Sequence, residues 1–128
     1  MVMAREAVIE ICEKYLQSLR DHDPSKVPFA PDVTITENGR VTAKGIEAAH
    51  KLHKADAMNV IQAINVTRWV VDGDAAIAIY ELDKTDGGGV MISEYFRVYD
   101  GQIREVKANF GNRLTEEDVA RYRAQSQT

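Results

Sequence analysis

A run of four predicted strands fills the second half of the sequence. The strands cover residues 60–71, 75–82, 90–99 and 103–110, and each is rich in β-branched and aromatic residues. Asp72-Gly73-Asp74, a glycine-rich loop over residues 83–89 and Asp100-Gly101 separate them, and such short polar links are hairpin signals. Because strands joined by tight turns pair antiparallel, this half of the chain predicts an antiparallel meander.

Helical patterns dominate the first half. Residues 3–21 carry apolar side chains at helical spacing, Pro24 follows that stretch, and residues 45–57 form a second predicted helix. Between the helices, residues 33–37 alternate as a strand, Asn38-Gly39 predicts a type I′ turn, and a short return strand passes through Val41. We expect a single domain, 1–128, with a core of about 5–112 and a C-terminal helix of about 115–124 that Thr115 caps.

This order of elements is typical of an α+β fold, in which a curved sheet wraps around the N-terminal helices. A sheet curved in this way encloses an apolar hollow, and such hollows commonly bind small molecules. The sequence therefore predicts a pocket between the helices and the sheet.

Composition excludes several classes of function. The net charge is −4 and no basic run occurs, so we expect no nucleic-acid partner. Cys12 is the only cysteine and lies in a helical apolar stripe, which predicts a buried side chain in a reducing, cytoplasmic setting.

No stretch has the length of a membrane helix or of a signal peptide, so no membrane association is expected. His50 and His53 lack further metal ligands, and no cofactor motif is present, so we predict neither metal nor cofactor.

Two carboxylates fall on apolar strand faces. Glu37 shares a face with Val33 and Ile35, and Glu94 has apolar neighbours of the same face on both sides. A buried carboxylate either finds a partner or takes a raised pKa, and a raised pKa suits a general acid or base. Structural alternatives stay open for both. Glu37 could pair with Arg40 or Lys44 across its own turn, and Glu94 with a buried arginine. The candidates for that arginine are Arg68 and Arg113.

Three stretches together resemble the nuclear transport factor 2-like superfamily, in particular its SnoaL-like and ketosteroid isomerase-like branch. They are EKYLQSLRDHDPSKV in the first helix and the step after it, FAPDVTITENGRVTAKGIEAAHKL, and the closing pair EYFRVYDGQIREVKANF. The resemblance implies a cone-shaped, curved antiparallel sheet wrapped around N-terminal helices, also known as a cystatin-like fold. That fold hosts many functions, so it does not by itself assign an activity.

The resemblance also implies catalytic roles. Glu37 falls where ketosteroid isomerases have their general-base aspartate, and Glu94 falls where they have the protonated aspartate of the oxyanion hole. Tyr15 falls where they have the tyrosine that donates to the same oxyanion, although a tyrosine at this helical spacing is also typical of a core position. Both acids are glutamates here, one methylene longer than the aspartates of that family.

Three further residues are candidates for binding substrate. Asn109 and Phe110 fall where members of the superfamily often place pocket-lining residues. Trp69 shares a predicted face with Asn65 and Thr67, and could line the pocket, a dimer surface or the solvent side.

We therefore predict a small-molecule pocket protein, most simply a cofactor-independent isomerase, cyclase or dehydratase that uses acid-base catalysis on a small apolar carbonyl compound. The alternative is a non-catalytic ligand-binding or dimerisation domain of the same fold. A homodimer through the sheet is expected from the resemblance alone.

Overall fold

The computed structural model describes residues 3–126. Three α-helices, α1 (Arg5–Asp21), α2 (Ile46–His53) and α3 (Glu116–Ser126), accompany six strands. The strands are β1 (Phe29–Glu37), β2 (Arg40–Lys44), β3 (Ile61–Asp72), β4 (Ala75–Lys84), β5 (Gly89–Tyr99) and β6 (Gln102–Asn112). Short 3-10 turns at Pro24–Lys26 and Asp56–Val60 complete the order. The predicted second helix is therefore shorter than expected, because its last turns form the separate 3-10 segment before β3.

All six strands belong to one curved, unclosed sheet in the order β2-β1-β6-β5-β4-β3. The predicted meander of β3 to β6 is present, and every pair within it is antiparallel. The sheet as a whole is mixed, because β1 pairs with β6 in parallel. The α+β cone expected from the sequence is thus confirmed, while its purely antiparallel character is not.

Helix α1 fills the concave side of the sheet and contacts β3, β4, β5 and β6. Its buried side chains are Val8, Cys12, Tyr15, Leu16, Ser18 and Leu19. Cys12 is fully buried, and burial raises the pKa of its thiol to about 12. A thiol this hard to ionise is an unreactive core side chain, as the sequence predicts. None of the helices within residues 3–126 is long and apolar enough to cross a membrane.

Two local features agree with the sequence pattern. Asn38 and Gly39 both have positive φ angles, 47° and 86°, as a type I′ turn requires. At the start of α3, Thr115 Oγ1 accepts from the Asp118 amide at 3.0 Å, and Asp118 Oδ2 accepts from the Thr115 amide at 2.9 Å. This reciprocal cap fixes where α3 begins. Helix α3 itself buries no side chain.

Candidate functional site

A cavity of about 220 Å³ opens between α1, α2 and the concave face of the sheet. Its polar lining consists of Tyr15, Glu37, Tyr80, Lys84 and Glu94. Every other lining side chain is apolar, including Leu52, Met58, Ile61, Val90, Ile92 and Phe110. A small apolar chamber with a few polar groups at fixed places is the usual form of a small-molecule site.

Glu94 lies in the middle of β5 and is only 2% exposed. It is flanked across the sheet by Ala78 on β4 and Ala108 on β6, two small residues that leave room in front of its carboxyl. The Tyr80 hydroxyl donates a hydrogen bond of 2.6 Å to Glu94 Oε1. Neither predicted arginine partner contacts the carboxyl, because Arg113 instead pairs with Glu81 and Asp83 at 3.3 and 3.0 Å. Glu94 is thus a buried carboxyl held by a tyrosine, without a counter-charge among the described residues.

This environment raises the pKa of Glu94 from 4.5 to about 7. Burial is the largest cause, since it penalises the charged form, and the nearby charge of Glu37 acts in the same direction. The hydrogen bond from Tyr80 opposes the shift, and so does the interaction with Tyr15. Near neutral pH, Glu94 therefore exists partly as the neutral acid, which can donate a hydrogen bond.

Tyr15 forms the wall between the cavity and the core behind it. Its ring packs edge-on against Phe96 at 5.2 Å between centroids, against Phe29 at 6.0 Å and against His53 at 4.5 Å. Burial, and then the charge of Glu94, raise the pKa of Tyr15 well above its usual value. Its hydroxyl is therefore a permanent hydrogen-bond donor at any physiological pH.

Glu37 reaches the cavity from the end of β1, on the face that also carries the buried residues Val33 and Ile35. It forms no ion pair with Arg40 or Lys44 within the described part of the chain, although Arg40 lies opposite it in the β1–β2 hairpin. The strand parity predicted from the sequence thus directs Glu37 inward.

The next residue, Asn38, fixes this strand end. Its side-chain oxygen accepts from the Phe110 amide at 2.9 Å, and its side-chain nitrogen donates to the Phe110 carbonyl at 3.3 Å. The Asn38 backbone amide also donates to the carbonyl of Ala108 at 2.9 Å. Asn38 therefore extends the β1–β6 ladder by one further position, and it holds Glu37 beside the cavity wall that contains Phe110.

The structure does not bring all predicted binding residues to the cavity. Phe110 lines it, but Asn109 points to the opposite face of β6, where its partner across the sheet is the exposed Ser93. Trp69 lies on the concave side beyond the cavity, with its ring 6.3 Å from that of Phe96. A bulge at Thr67 shifts the register of β3, so Trp69 does not share the face of Asn65 and Thr67 as the uninterrupted alternation predicts.

Tyr80 and Lys84 are site residues that the sequence reasoning missed. The residues before it on β4, 75–79, are apolar on both faces, so Tyr80 does not stand out from them. The signal that could have identified Tyr80 is its position relative to Glu94 on the neighbouring strand. The hairpin turn places Tyr80 opposite Ile92, one position along the same face from Glu94. Lys84 ends β4 on that same face, beyond the segment that the sequence analysis treated as strand.

Behind Tyr15 lies a second buried polar pair. His53 is fully buried, and its Nδ1 is 2.6 Å from Ser18 Oγ. Its Nε2 has no hydrogen-bond partner among the described residues. Burial, with a smaller effect of His50, lowers the pKa of His53 to about 4. In residues 3–126, no three metal-binding side chains come together, so neither histidine belongs to a cluster that could hold a metal ion.

Solved structures with the same fold carry several different descriptions. A Mesorhizobium loti protein described as NTF2-like and of unknown function is 25% identical, with a TM-score of 0.69 over 83% of this chain and 92% of its own. A Kribbella flavida protein described as a candidate ketosteroid isomerase is 18% identical, with a TM-score of 0.72 over 86% and 82% of the two chains. An epoxide hydrolase from M. tuberculosis is 19% identical, with a TM-score of 0.68 over 83% and 84%.

No curated protein matches this chain. One family does, and it is described as a domain of unknown function, DUF8021, with a match over residues 1–110. That match spans both N-terminal helices, the cavity and all of its polar lining residues. The chain therefore belongs to the DUF8021 family, and its fold is that of the nuclear transport factor 2-like superfamily.

Proposed function

We propose that this protein is an enzyme that moves a proton next to the carbonyl group of a small, largely apolar molecule. The observation that carries the proposal is the meeting of Tyr15, Glu37 and Glu94 at one apolar cavity. A site that combines a carboxylate base with neutral hydrogen-bond donors is suited to enolate chemistry.

In the proposed reaction, the Glu37 carboxylate removes a proton from the carbon next to the carbonyl. The electron pair of that C–H bond moves into the carbon framework, and the carbonyl oxygen gains negative charge. Neutral Glu94 and Tyr15 donate hydrogen bonds to this oxygen, so they stabilise the charge as it develops. Glu37 then returns the proton to a different carbon of the same molecule, which completes an isomerisation without any external reactant.

Tyr80 acts on Glu94 rather than on the substrate. Its hydrogen bond occupies Oε1 of Glu94 and fixes the orientation of the carboxyl. The carboxyl is then oriented so that its proton can face the ligand. Tyr80 is therefore a positioning residue in this proposal.

The structural neighbours include a candidate ketosteroid isomerase and an epoxide hydrolase. Because their identity to this chain is low, they support the fold and do not select a reaction. An epoxide-hydrolase reaction of the limonene type would need an arginine between two aspartates in the pocket. Arg97 does not supply it, because it lies on the face opposite Glu94 and pairs with Asp74 at 3.9 Å.

The β,γ isomer of cyclohexenone tests the proposal, because it is small enough for the cavity and has acidic protons between its carbonyl and its double bond. In deuterium oxide, the protein should catalyse both deuterium incorporation and conversion to the conjugated isomer, followed by NMR and ultraviolet absorbance. Glu37→Gln should lower the rate by at least about a hundredfold, the effect typical of removing a general base. The rate with the native protein should fall as the pH rises through about 7, where Glu94 loses its proton.

Glu47→Gln is the matched control, because Glu47 is an exposed glutamate on α2, outside the cavity lining, that pairs with Lys51 at 3.5 Å. It should leave the rate unchanged. Full activity in Glu37→Gln, or no acceleration by the native protein, would contradict the proposal.

We also propose, as a second function of the fold, that the outer face of the sheet joins two copies of the chain. The observation behind it is a patch of Val70, Ile77, Ile79 and Met91 on adjacent strands, each 37–46% exposed. Apolar side chains that cluster on a surface commonly mark an interface.

Sedimentation should show a dimer that Ile77→Lys converts to a monomer. Val41→Lys, at an exposed apolar position on β2, should leave the dimer intact. A native monomer at all concentrations would contradict this assignment.

A further inference from the structure

Lys84 is the only cation that lines the cavity in the described part of the chain. We propose that the ligand carries a carboxylate group at one end and that Lys84 binds it. This inference rests on the proposed function, because it takes the oxygen-binding end of the ligand to lie at Glu94. It adds the chemical class of the ligand and its orientation.

The position of Lys84 separates it from the proposed chemistry. Tyr80, Leu82 and Lys84 occupy alternate positions on β4 and therefore share its concave face. Four residues of strand place the Cα of Lys84 about 13 Å from that of Tyr80. Glu94 is opposite Ala78, still farther from Lys84 along β4. Lys84 and Glu94 are thus at opposite ends of the chamber, and a ligand must extend along β4 to reach both.

Lys84 is incompletely paired within the protein. Its Nζ lies 3.7 Å from Asp86 Oδ2, and its side chain is 29% exposed while that of Asp86 is 68% exposed. The other oxygen of Asp86 already accepts from the Gly88 amide at 2.8 Å. An ion pair this long with so exposed a partner contributes little, so Lys84 can exchange Asp86 for a ligand anion at small cost.

The other cation at this end of the sheet is already engaged. Arg113 contacts both Glu81 and Asp83, and its guanidinium lies against Gly89, where an added Cβ would clash with it. A ligand carboxylate therefore has one available counter-charge within the cavity. Since a lysine ammonium acts as a point charge, a single carboxylate is sufficient to match it.

The charge of Glu37 fixes the orientation. A ligand carboxylate at this end of the cavity would face the Glu37 carboxylate in an apolar setting, which is unfavourable. At the Lys84 end the same group gains an ion pair. A ligand with an anionic end and a polarisable oxygen at the other can thus bind in one direction only, with its oxygen at Glu94.

The probe pair para-hydroxyphenylpropanoate and its methyl ester tests this arrangement. Both carry a phenol that can occupy the oxygen-binding end, and only one carries the negative charge. Isothermal titration should show that the native protein binds the acid about tenfold more tightly than the ester, the usual effect of one charge-assisted hydrogen bond. Lys84→Met keeps the unbranched apolar stem and should remove this preference by weakening the acid alone. Asp86→Asn removes the competing charge, so it should strengthen the acid a few-fold.

Lys51→Met is the control, because Lys51 lies on the exposed side of α2, and it should leave the ratio of affinities unchanged. Equal affinity of the native protein for acid and ester would overturn the inference. So would an equal loss of both ligands in Lys84→Met, or no binding of the acid in the millimolar range. The ratio is measured without turnover, so it is independent of the isomerisation assay, in which only Glu37 and Glu94 are tested.

Discussion

Tyr15 separates two buried polar groups that ionise in opposite ways. On the cavity side, Glu94 holds a hydrogen bond from Tyr80, and burial raises its pKa to about 7. On the core side, His53 shares a hydrogen bond with Ser18, and burial lowers its pKa to about 4. The same physical cause favours the neutral form of both, because removing a charge from water is unfavourable whatever its sign.

The difference between the two groups lies in what surrounds them. Glu94 lines a cavity that a ligand can enter, while His53 is enclosed by the rings of Tyr15 and Phe29 at 4.5 and 5.8 Å. A perturbed pKa alone therefore does not mark an active site. Access distinguishes the group that can exchange a proton with a substrate from the group that only stabilises the packing around it.

Removal of the Tyr15 ring, which separates the two groups, should have the largest effect on the free energy of unfolding. Tyr15→Ala is expected to lower the free energy of unfolding by about 3–5 kcal/mol, the range for deleting a buried aromatic ring. It should also admit water to His53, so the pKa of His53 should rise towards 6.5, measured by NMR titration. Urea unfolding gives the stability change.

Tyr15→Phe keeps the ring and removes only the hydroxyl. Its stability should stay within about 1 kcal/mol of the native value, and the pKa of His53 should not move. If Tyr15→Ala also left the pKa of His53 near 4, the ring would not be the barrier between the two regions.

The opposite shifts should give opposite dependences of stability on pH. For Glu94, the raised pKa favours the folded state below 4.5, and this contribution of about 3 kcal/mol is lost as the pH rises through about 7. For His53, the lowered pKa favours the folded state above 6.5, and this contribution is lost as the pH falls through about 4. The two slopes overlap and oppose each other in the native protein between 4.5 and 6.5.

Each variant should reveal the slope of the other group. In Glu94→Gln only the His53 slope remains, so stability should increase from about pH 5 to about pH 8, by about 2 kcal/mol. In His53→Asn, whose amide can still bond to Ser18, stability should decrease over the same range. Urea midpoints at each pH provide the measurement, and the double variant should be nearly flat. A slope of the same sign in both single variants would show that the two groups do not oppose each other.

The sequence was sufficient to locate Glu37 and Glu94 because strand alternation is strict where no bulge interrupts it. The same rule shows why Asn109 and Phe110 cannot both face the cavity, since adjacent residues of a strand point to opposite sides. The bulge at Thr67 follows from how β3 pairs with β4, and the local pattern of apolar residues contains no sign of it. The parallel pairing of β1 with β6 likewise depends on contacts between distant parts of the chain.

The surroundings of His53 were also beyond the sequence. Helical spacing can place His53 on the inner face of the second helix, but it does not show that Ser18 on α1 and Phe29 on β1 enclose the ring. Tyr80 was not singled out, because its neighbours on β4 from Ala76 to Ile79 are all apolar. In both cases the missing information is which residue of another helix or strand contacts the side chain.

The hydrogen bonds of the Asn38 side chain bear on how readily this asparagine deamidates. Asn-Gly sequences convert slowly to aspartate or isoaspartate, since the amide nitrogen after the asparagine can attack its side-chain carbonyl. In this protein both polar atoms of that side chain are bound to the backbone of Phe110, which should slow the attack. Once conversion occurred, an oxygen would replace the donor that faces the Phe110 carbonyl, and an added charge would stand next to Glu37. Conversion of Asn38 would therefore weaken the contact between the end of β1 and Phe110, next to the proposed base Glu37.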